Sequence, residues 1–193
     1  WSAAGLVGVI GFGMWFVRPR LQHVKGPPNA LIGGLQQAAG VAVDPRRRYA
    51  ERSLQWMSWY LGPIAVAAAI VAAALLVRLL LRGRMRPALV AIAILAPASV
   101  AYLLRPNIST DQIWVMRRYL FSALPLLTLL AFGLVAGLLA FEPKRLPRLV
   151  SVVAAIAVGA AAVVYPISTV KPVRNITEQR GDLLALRDAC HIM

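Results

Sequence analysis

Four residues in the stretch RPNISTDQIWVMRRYL (105–120) have types and spacing that could do chemistry: Asp111, Trp114, Arg117 and Arg118. Thr110 or Asp111 can cap a helix that starts here and runs on into the apolar residues beyond. On that helix Asp111, Trp114 and Arg118 share one face, with Arg117 about a quarter turn away. Arg118 lies one turn beyond Trp114 and can cover the indole as a cation–π pair. Adjacent guanidinium groups suit phosphate, because each planar fork donates two hydrogen bonds and stays ionised. The same residue types have a plainer use. Trp and Arg at the start of a membrane helix are ordinary interfacial anchors, with Asp111 as the cap. Spacing alone leaves both readings open.

The elements that must position this polar island are apolar. The 193 residues are 60% hydrophobic and 15% charged, with a mean hydropathy of +0.70. Soluble domains carry about 25% charged residues, so the composition falls in the membrane class. The balance of 21 basic and 7 acidic residues gives +14. In a soluble chain that excess would suggest nucleic acid. Here the basic residues cluster at the ends of apolar runs, where lipid headgroups and phosphates are the natural counter-charges. Membrane lipids are therefore the expected partners, and nucleic acid is not.

The expected fold class is all-α: a polytopic transmembrane helix bundle of about five spans, an interfacial helix, and the start of a C-terminal extracytoplasmic domain. The first span is 1–17, at the short limit for crossing a bilayer. Gly5, Gly8, Gly11 and Gly13 in it would let a neighbouring helix approach closely. Residues 18–61 form a long loop. Within it, the 14 residues of Ala30 to Val43 are apolar but too short to span. Asp44-Pro45 is a helix-start pair, predicting an interfacial helix over 45–61. Tyr49, Ser53, Trp56 and Tyr60 would share a face of that helix, with Trp59 beside it. The further spans are 62–81, 87–104 (interrupted by Pro97), 119–141 and 149–167. Gly133 and Gly137 in the fourth form a GxxxG, which usually means close packing. Residues 105–118 are the second loop on the island's side. In the tail, 168–193, Asn175 and Glu178 resemble a capping box that opens a further helix. The start at Trp1, without a basic region before the first apolar run, and the stop at Met193 within a helical pattern suggest a piece of a larger membrane protein.

The two shortest loops, RGRMRP and EPKRLPR, each hold three basic residues and are assigned to the cytoplasm by the positive-inside rule. Alternation then puts the long loop, the island and the tail outside, against the weak contrary sign of seven basic residues in the long loop. Trp15, Trp56, Trp59, Tyr60, Tyr102, Trp114, Tyr119 and Tyr165 all fall at outer ends. Arg78, one turn from the end of the second span, is expected to snorkel to the headgroups. Arg46-Arg47-Arg48 reads as a solvated or lipid-facing run, and Trp56 to Tyr60 as an aromatic belt rather than a carbohydrate platform. Asn107 and Asn175 each start a short glycosylation-acceptor pattern of low specificity.

Much catalytic machinery has no counterpart here. There is no HExxH, GxxxxGK[ST] or GxSxG. Cys190 is the single cysteine, so there is neither an intrachain disulfide nor a cysteine metal site, and His23 and His191 stand on different segments. No metal ligand set and no cofactor motif is visible; a divalent-metal requirement stays open. Asp44, Glu51 and Asp111 are the acids on the outer side before the tail, and they form no obvious acid–base pair.

Three segments carry a family resemblance: ERSLQWMSWYLGP entering a span, RPNISTDQIWVMRRYLFSALP leading into another, and TEQRGDLLALRDAC after the last. They resemble the C-terminal part of large actinobacterial membrane proteins of the GT-C glycosyltransferase type, related to the protein mannosyltransferase-like families. The resemblance covers roughly Arg46 to Cys190. It implies a multi-pass plasma-membrane transferase that moves a sugar from a polyprenyl-phosphate donor on the non-cytoplasmic face. In such families the catalytic acid sits in an early outer loop, so no catalytic residue is carried over to this chain. Arg117 and Arg118 become candidates for the donor phosphate, with Asp111 and Trp114 orienting them. The competing readings are a transporter or flippase segment binding an anionic or lipid-linked substrate, and a non-catalytic scaffold. The sugar, the acceptor and the oligomeric state are left open.

Overall fold

The computed structural model describes residues 2–83, 88–106, 119, 121–140 and 148–171. The chain is all-helical there, apart from one antiparallel bridge between Lys25 and Arg47. Helix α1 runs Ser2–Leu21, with a π-helical turn at Gly13–Val17. Helix α2 spans Ala30–Ala38. Helix α3 spans Ser53–Leu61, after a 3-10 turn at Ala50–Arg52. The long apolar helices α4 (Pro63–Leu81), α5 (Ala88–Leu104), α6 (Ala123–Ala140) and α7 (Arg148–Val170) complete the bundle.

Of these, α1, α4, α6 and α7 are long and apolar enough to cross a membrane. The protein is membrane-embedded by that measure. The remaining expected span is α5, which has 17 residues and continues through Pro97. At 1.5 Å per residue it covers roughly 25 Å, a little less than a hydrocarbon core.

The bundle is organised around α4 and α6. Helix α4 packs on α1, α6, α3 and α7, and α6 packs on α4, α5 and α7. The spacing of small residues explains the centre. Ala65, Ala68, Ala69 and Ala72 are all buried on α4. They stand at i, i+3, i+4 and i+7, a face on which helices can approach closely. Val66 and Ile70 of α4 and Ala123, Leu127 and Ala131 of α6 complete this core. Outward-facing Ile64, Val71, Leu75, Leu129, Phe132, Val153, Ile156 and Val164 are exposed, as lipid-facing side chains of spans should be.

Glycine use departs from the sequence expectation. Gly11 alone of the α1 glycines takes a close neighbour, since a Cβ there would meet Ile70 Cγ2 at 2.7 Å. Gly5, Gly8, Gly13, Gly133 and Gly137 have no atom within 4 Å of that position. The GxxxG of α6 is thus not its packing face. That face is the Ala123-Leu127-Ala131 stripe, a better match to the alanines of α4.

Three element boundaries also differ. Helix α1 carries on through Arg18-Pro19-Arg20, directly after the π-helical turn at Gly13–Val17. Helix α7 continues four residues past Pro166, where Ser168 and Thr169 hydroxyls donate to the Tyr165 and Pro166 carbonyls. The helix expected from Pro45 does not begin there. Asp44 Oδ1 instead accepts from Arg46 N at 3.1 Å, making a turn, and Tyr49 adopts a left-handed φ of 54°.

Candidate functional site

The expected donor-phosphate residues Asp111, Trp114, Arg117 and Arg118 lie outside the described residues, as do the Asn107 pattern and the capping box of the tail. The surroundings of the island, up to Pro106 on one side and from Tyr119 on the other, are described.

One end of the bundle gathers the aromatic helix ends. The last turns of α1 and α5, helix α3, Gly62 at the start of α4, Tyr119, and Tyr165 of α7 meet there. Trp15, Trp56 and Met57 are buried with Tyr119 in one core. Tyr119 Oη donates to the Tyr102 carbonyl at 3.4 Å. Gly62, at φ 89°, lies against the Tyr165 ring, and a Cβ at Gly62 would meet its Cγ at 2.9 Å. This changes the reading of the aromatics. Trp59 and Tyr60 are exposed, as a belt requires, but Trp15, Trp56 and Tyr119 are buried packing residues. Helix α3 is accordingly docked onto α4, α5, α6 and α7 rather than separate from the bundle.

A folded loop covers this end. Its two sides are held by backbone bonds from Gly26 N to the Arg46 carbonyl (2.8 Å), Arg48 N to Val24 (3.0 Å) and Asn29 N to Pro45 (2.9 Å). Asn29 also caps α2, its side chain accepting from Leu31 N at 2.9 Å. Gln36 ties the far side. It accepts from Asp44 N at 2.7 Å and donates to Tyr49 Oη at 3.1 Å.

The three consecutive arginines of this loop do three different things. Arg46 is exposed. Arg47 is buried and forms an ion pair with Glu51, which is 0% exposed, while Nη1 of Arg47 also donates to the Val24 carbonyl. Its guanidinium lies 4.5 Å from the Tyr49 ring centroid. Burial pushes the Glu51 carboxyl up, but hydrogen bonds from Arg47 and the Val24 amide outweigh it and hold the group below its ordinary value. Arg48 is half-buried and donates to the Pro27 carbonyl, over Gly26, where a Cβ would collide with its guanidinium. The expectation of a uniformly solvated or lipid-facing run therefore fails at Arg47. A carboxylate four residues further on gives it a partner.

Arg18 joins loop, α1 and α5. Its Nε donates to Gln22 Oε1 at 2.8 Å, Nη1 to the Leu103 carbonyl at 3.1 Å and Nη2 to Leu104 at 2.8 Å. A cation at the last carbonyls of α5 complements that helix end. Ser53 Oγ donates to the same Leu103 carbonyl. The last turn of α5, and so the start of the island, is fixed from two sides.

Between these parts lies a cavity of about 620 Å³. Its charged lining is Arg18, Lys25, Arg48 and Arg105, with Pro106 of the polar stretch 105–120 in its wall. Among the described residues no carboxylate lines it. Sequence reasoning missed this group because its members stand at positions 18, 25, 48 and 105, with no local pattern to link them. The described acids of the same loop are engaged elsewhere. Asp44 pairs with Lys25 at 3.6 Å and Glu51 with Arg47. Neither is arranged as a general base. Among the described residues no group of three His, Cys, Asp or Glu side chains could hold a metal ion.

No protein-family model, no curated protein and no solved structure matches the chain.

Proposed function

We propose that the chain is part of a multi-pass bacterial plasma-membrane glycosyltransferase that uses a polyprenyl-phosphate-linked sugar on the non-cytoplasmic face. The observation that carries this reading is the cation-lined cavity at the aromatic end, walled by Leu104, Arg105 and Pro106, where the stretch that leads to Arg117 and Arg118 begins. A lipid-linked phosphate presents its charge at the end of the spans and keeps its tail among them. That is where this chain concentrates arginine.

In the proposed step the bond between the sugar's anomeric carbon and the phosphate oxygen breaks, and a bond to the acceptor nucleophile forms. The proton of the acceptor goes to a carboxylate, which the family resemblance places in an early outer loop. Polyprenyl phosphate leaves as an anion, and Arg117 and Arg118 stabilise the charge that develops on it, with Asp111 and Trp114 orienting them. Donor arginines that strengthen their hold as the phosphate gains charge favour the transition state over the bound substrate.

The test uses the complete protein in proteoliposomes with a polyprenyl-phosphate hexose labelled in both sugar and lipid. The expected result is separation of the two labels, as sugar passes to an acceptor and polyprenyl phosphate stays in the bilayer. Movement of the doubly labelled lipid between leaflets, with the labels still joined, would overturn the transferase reading in favour of a flippase.

A further inference from the structure

We propose that helix α2 and the strip after it, Ala30 to Val43, lie in the headgroup boundary of the bilayer and rest the covering loop on an anionic lipid surface. The inference stands apart from sugar transfer, since it concerns where the loop rests and not what the protein acts on.

The 14 residues from Ala30 to Val43 include no charged side chain. A single exposed leucine is ordinary on any protein surface. Here Leu31, Leu35, Val41 and Val43 are each 43–55% exposed within one short segment. Leu31 and Leu35 stand one turn apart on the same face of α2. Of the residues exposed along the run, Gln37 alone has a polar side chain. Apolar surface gathered in this way marks a contact with another protein or with a membrane.

The exposed side chains are not an unfinished part of the loop's own core. Ile32, Gly33 and Gln36 face that core and are buried. Gly33 lies against the Pro45 and Val43 side chains, and Gln36 bonds to Asp44 N and Tyr49 Oη. Asn29 N donates to the Pro45 carbonyl and closes the base of the segment. Leu31 and Leu35 are therefore presented outward from a unit whose inner face is already packed.

The surroundings select a lipid surface as the partner. The loop leaves α1, a candidate span, directly after Leu21, and Phe16, Val17 and Leu21 are exposed apolar side chains there. The nine residues of α2 cover roughly 13 Å, too little to cross a bilayer and enough to lie in its boundary. Exposed basic residues flank the run, Arg20 and Lys25 before it and Arg46 after it. Asp44 is the single acid between Arg18 and Arg48. An apolar face with basic flanks complements the acyl boundary and the anionic headgroups above it.

The test makes Leu35→Cys and Val41→Cys singly in the complete protein, in a background from which Cys190 and any other cysteine have been removed. Each is labelled with a nitroxide and reconstituted in vesicles of phosphatidylethanolamine and phosphatidylglycerol. Spin-label saturation then compares collisions with oxygen, which concentrates in the bilayer, and with a neutral nickel chelate, which stays in water. Both labels are expected to favour oxygen, as should a label at lipid-facing Val164 of α7. Adding Leu35→Glu should shift the Val41 label towards the nickel chelate. Exchanging phosphatidylglycerol for phosphatidylcholine should shift both labels the same way, to a smaller degree. A preference for the nickel chelate at both positions in the anionic vesicles would overturn the proposal. Shielding from both reagents would overturn it too, in favour of a protein partner or a second copy, and equal ratios in the two kinds of vesicle would overturn the anionic preference. Two separate positions keep the test decisive should one variant fold poorly.

Discussion

Two groups of cations lie side by side at the aromatic end of the bundle, and the fold treats them differently. Arg47 is buried against Glu51, with Val24 and Tyr49 completing its surroundings. Arg18 and Arg48 donate to backbone carbonyls and border an open cavity. The first arrangement closes on itself and ties the loop to the start of α3. The second fixes the positions of its charges through main-chain oxygens at the wall of a cavity. Arg47 and Arg48 are adjacent in sequence, yet one donates to a buried carboxylate and the other to a main-chain carbonyl.

Removing one member of the closed pair should have the largest effect. Glu51→Ala leaves the Arg47 charge buried without its carboxylate, and a loss of about 3–5 kcal/mol is expected, measured by thermal unfolding of the complete protein in detergent. The pH dependence has a definite sign. The folded carboxyl of Glu51 is held below its ordinary value. Its stabilisation is therefore full above the unfolded pKa and is lost as pH falls through the lower, folded one. The parent protein should lose stability only as pH drops below the ordinary carboxylate range, and Glu51→Gln should flatten that fall. Equal acid sensitivity in the two proteins would show that Arg47 and Glu51 do not act as a closed unit.

An intermediate effect belongs to Gly62, which lets this end pack by close approach rather than by charge. Gly62→Ala forces a Cβ into a backbone region nearly confined to glycine and against Tyr165. A cost of about 1–3 kcal/mol is expected from the same unfolding measurement. A smaller loss, up to about 1 kcal/mol, is expected for Lys25→Gln, because its pair with Asp44 is part-exposed. Smallest of all, Arg105→Gln should leave the melting temperature unchanged. A marked destabilisation there would erase the distinction between the two groups of cations.

The parts that were legible in the sequence follow from local composition. Apolar runs bounded by arginines gave the long helices. What was not legible depended on contacts between distant segments. Trp56 and Trp59 are three residues apart and of one type, yet one is core and the other exposed. Only the docking of α3 on four helices decides that. Asp44-Pro45 is a sound helix-start pair, but the chain turns there and bridges from Arg47 to Lys25, and the helix waits until Ala50. The cationic cavity needed residues from α1, the loop and α5 in one place. The Arg117-Arg118 pair was visible at once from spacing, whereas Arg18 and Arg48 became candidates only through the fold.

The central claim is that this end of the bundle receives a lipid-linked phosphate through Arg117 and Arg118. The most direct measurement is the equilibrium affinity of the complete protein for a polyprenyl-phosphate hexose, compared between the parent and R117Q/R118Q of equal thermal stability. The account expects the double variant to bind at least about tenfold more weakly, with a reduced salt dependence as the phosphate contacts are removed. Unchanged affinity and unchanged salt dependence would contradict it, and would leave the two arginines as interfacial anchors.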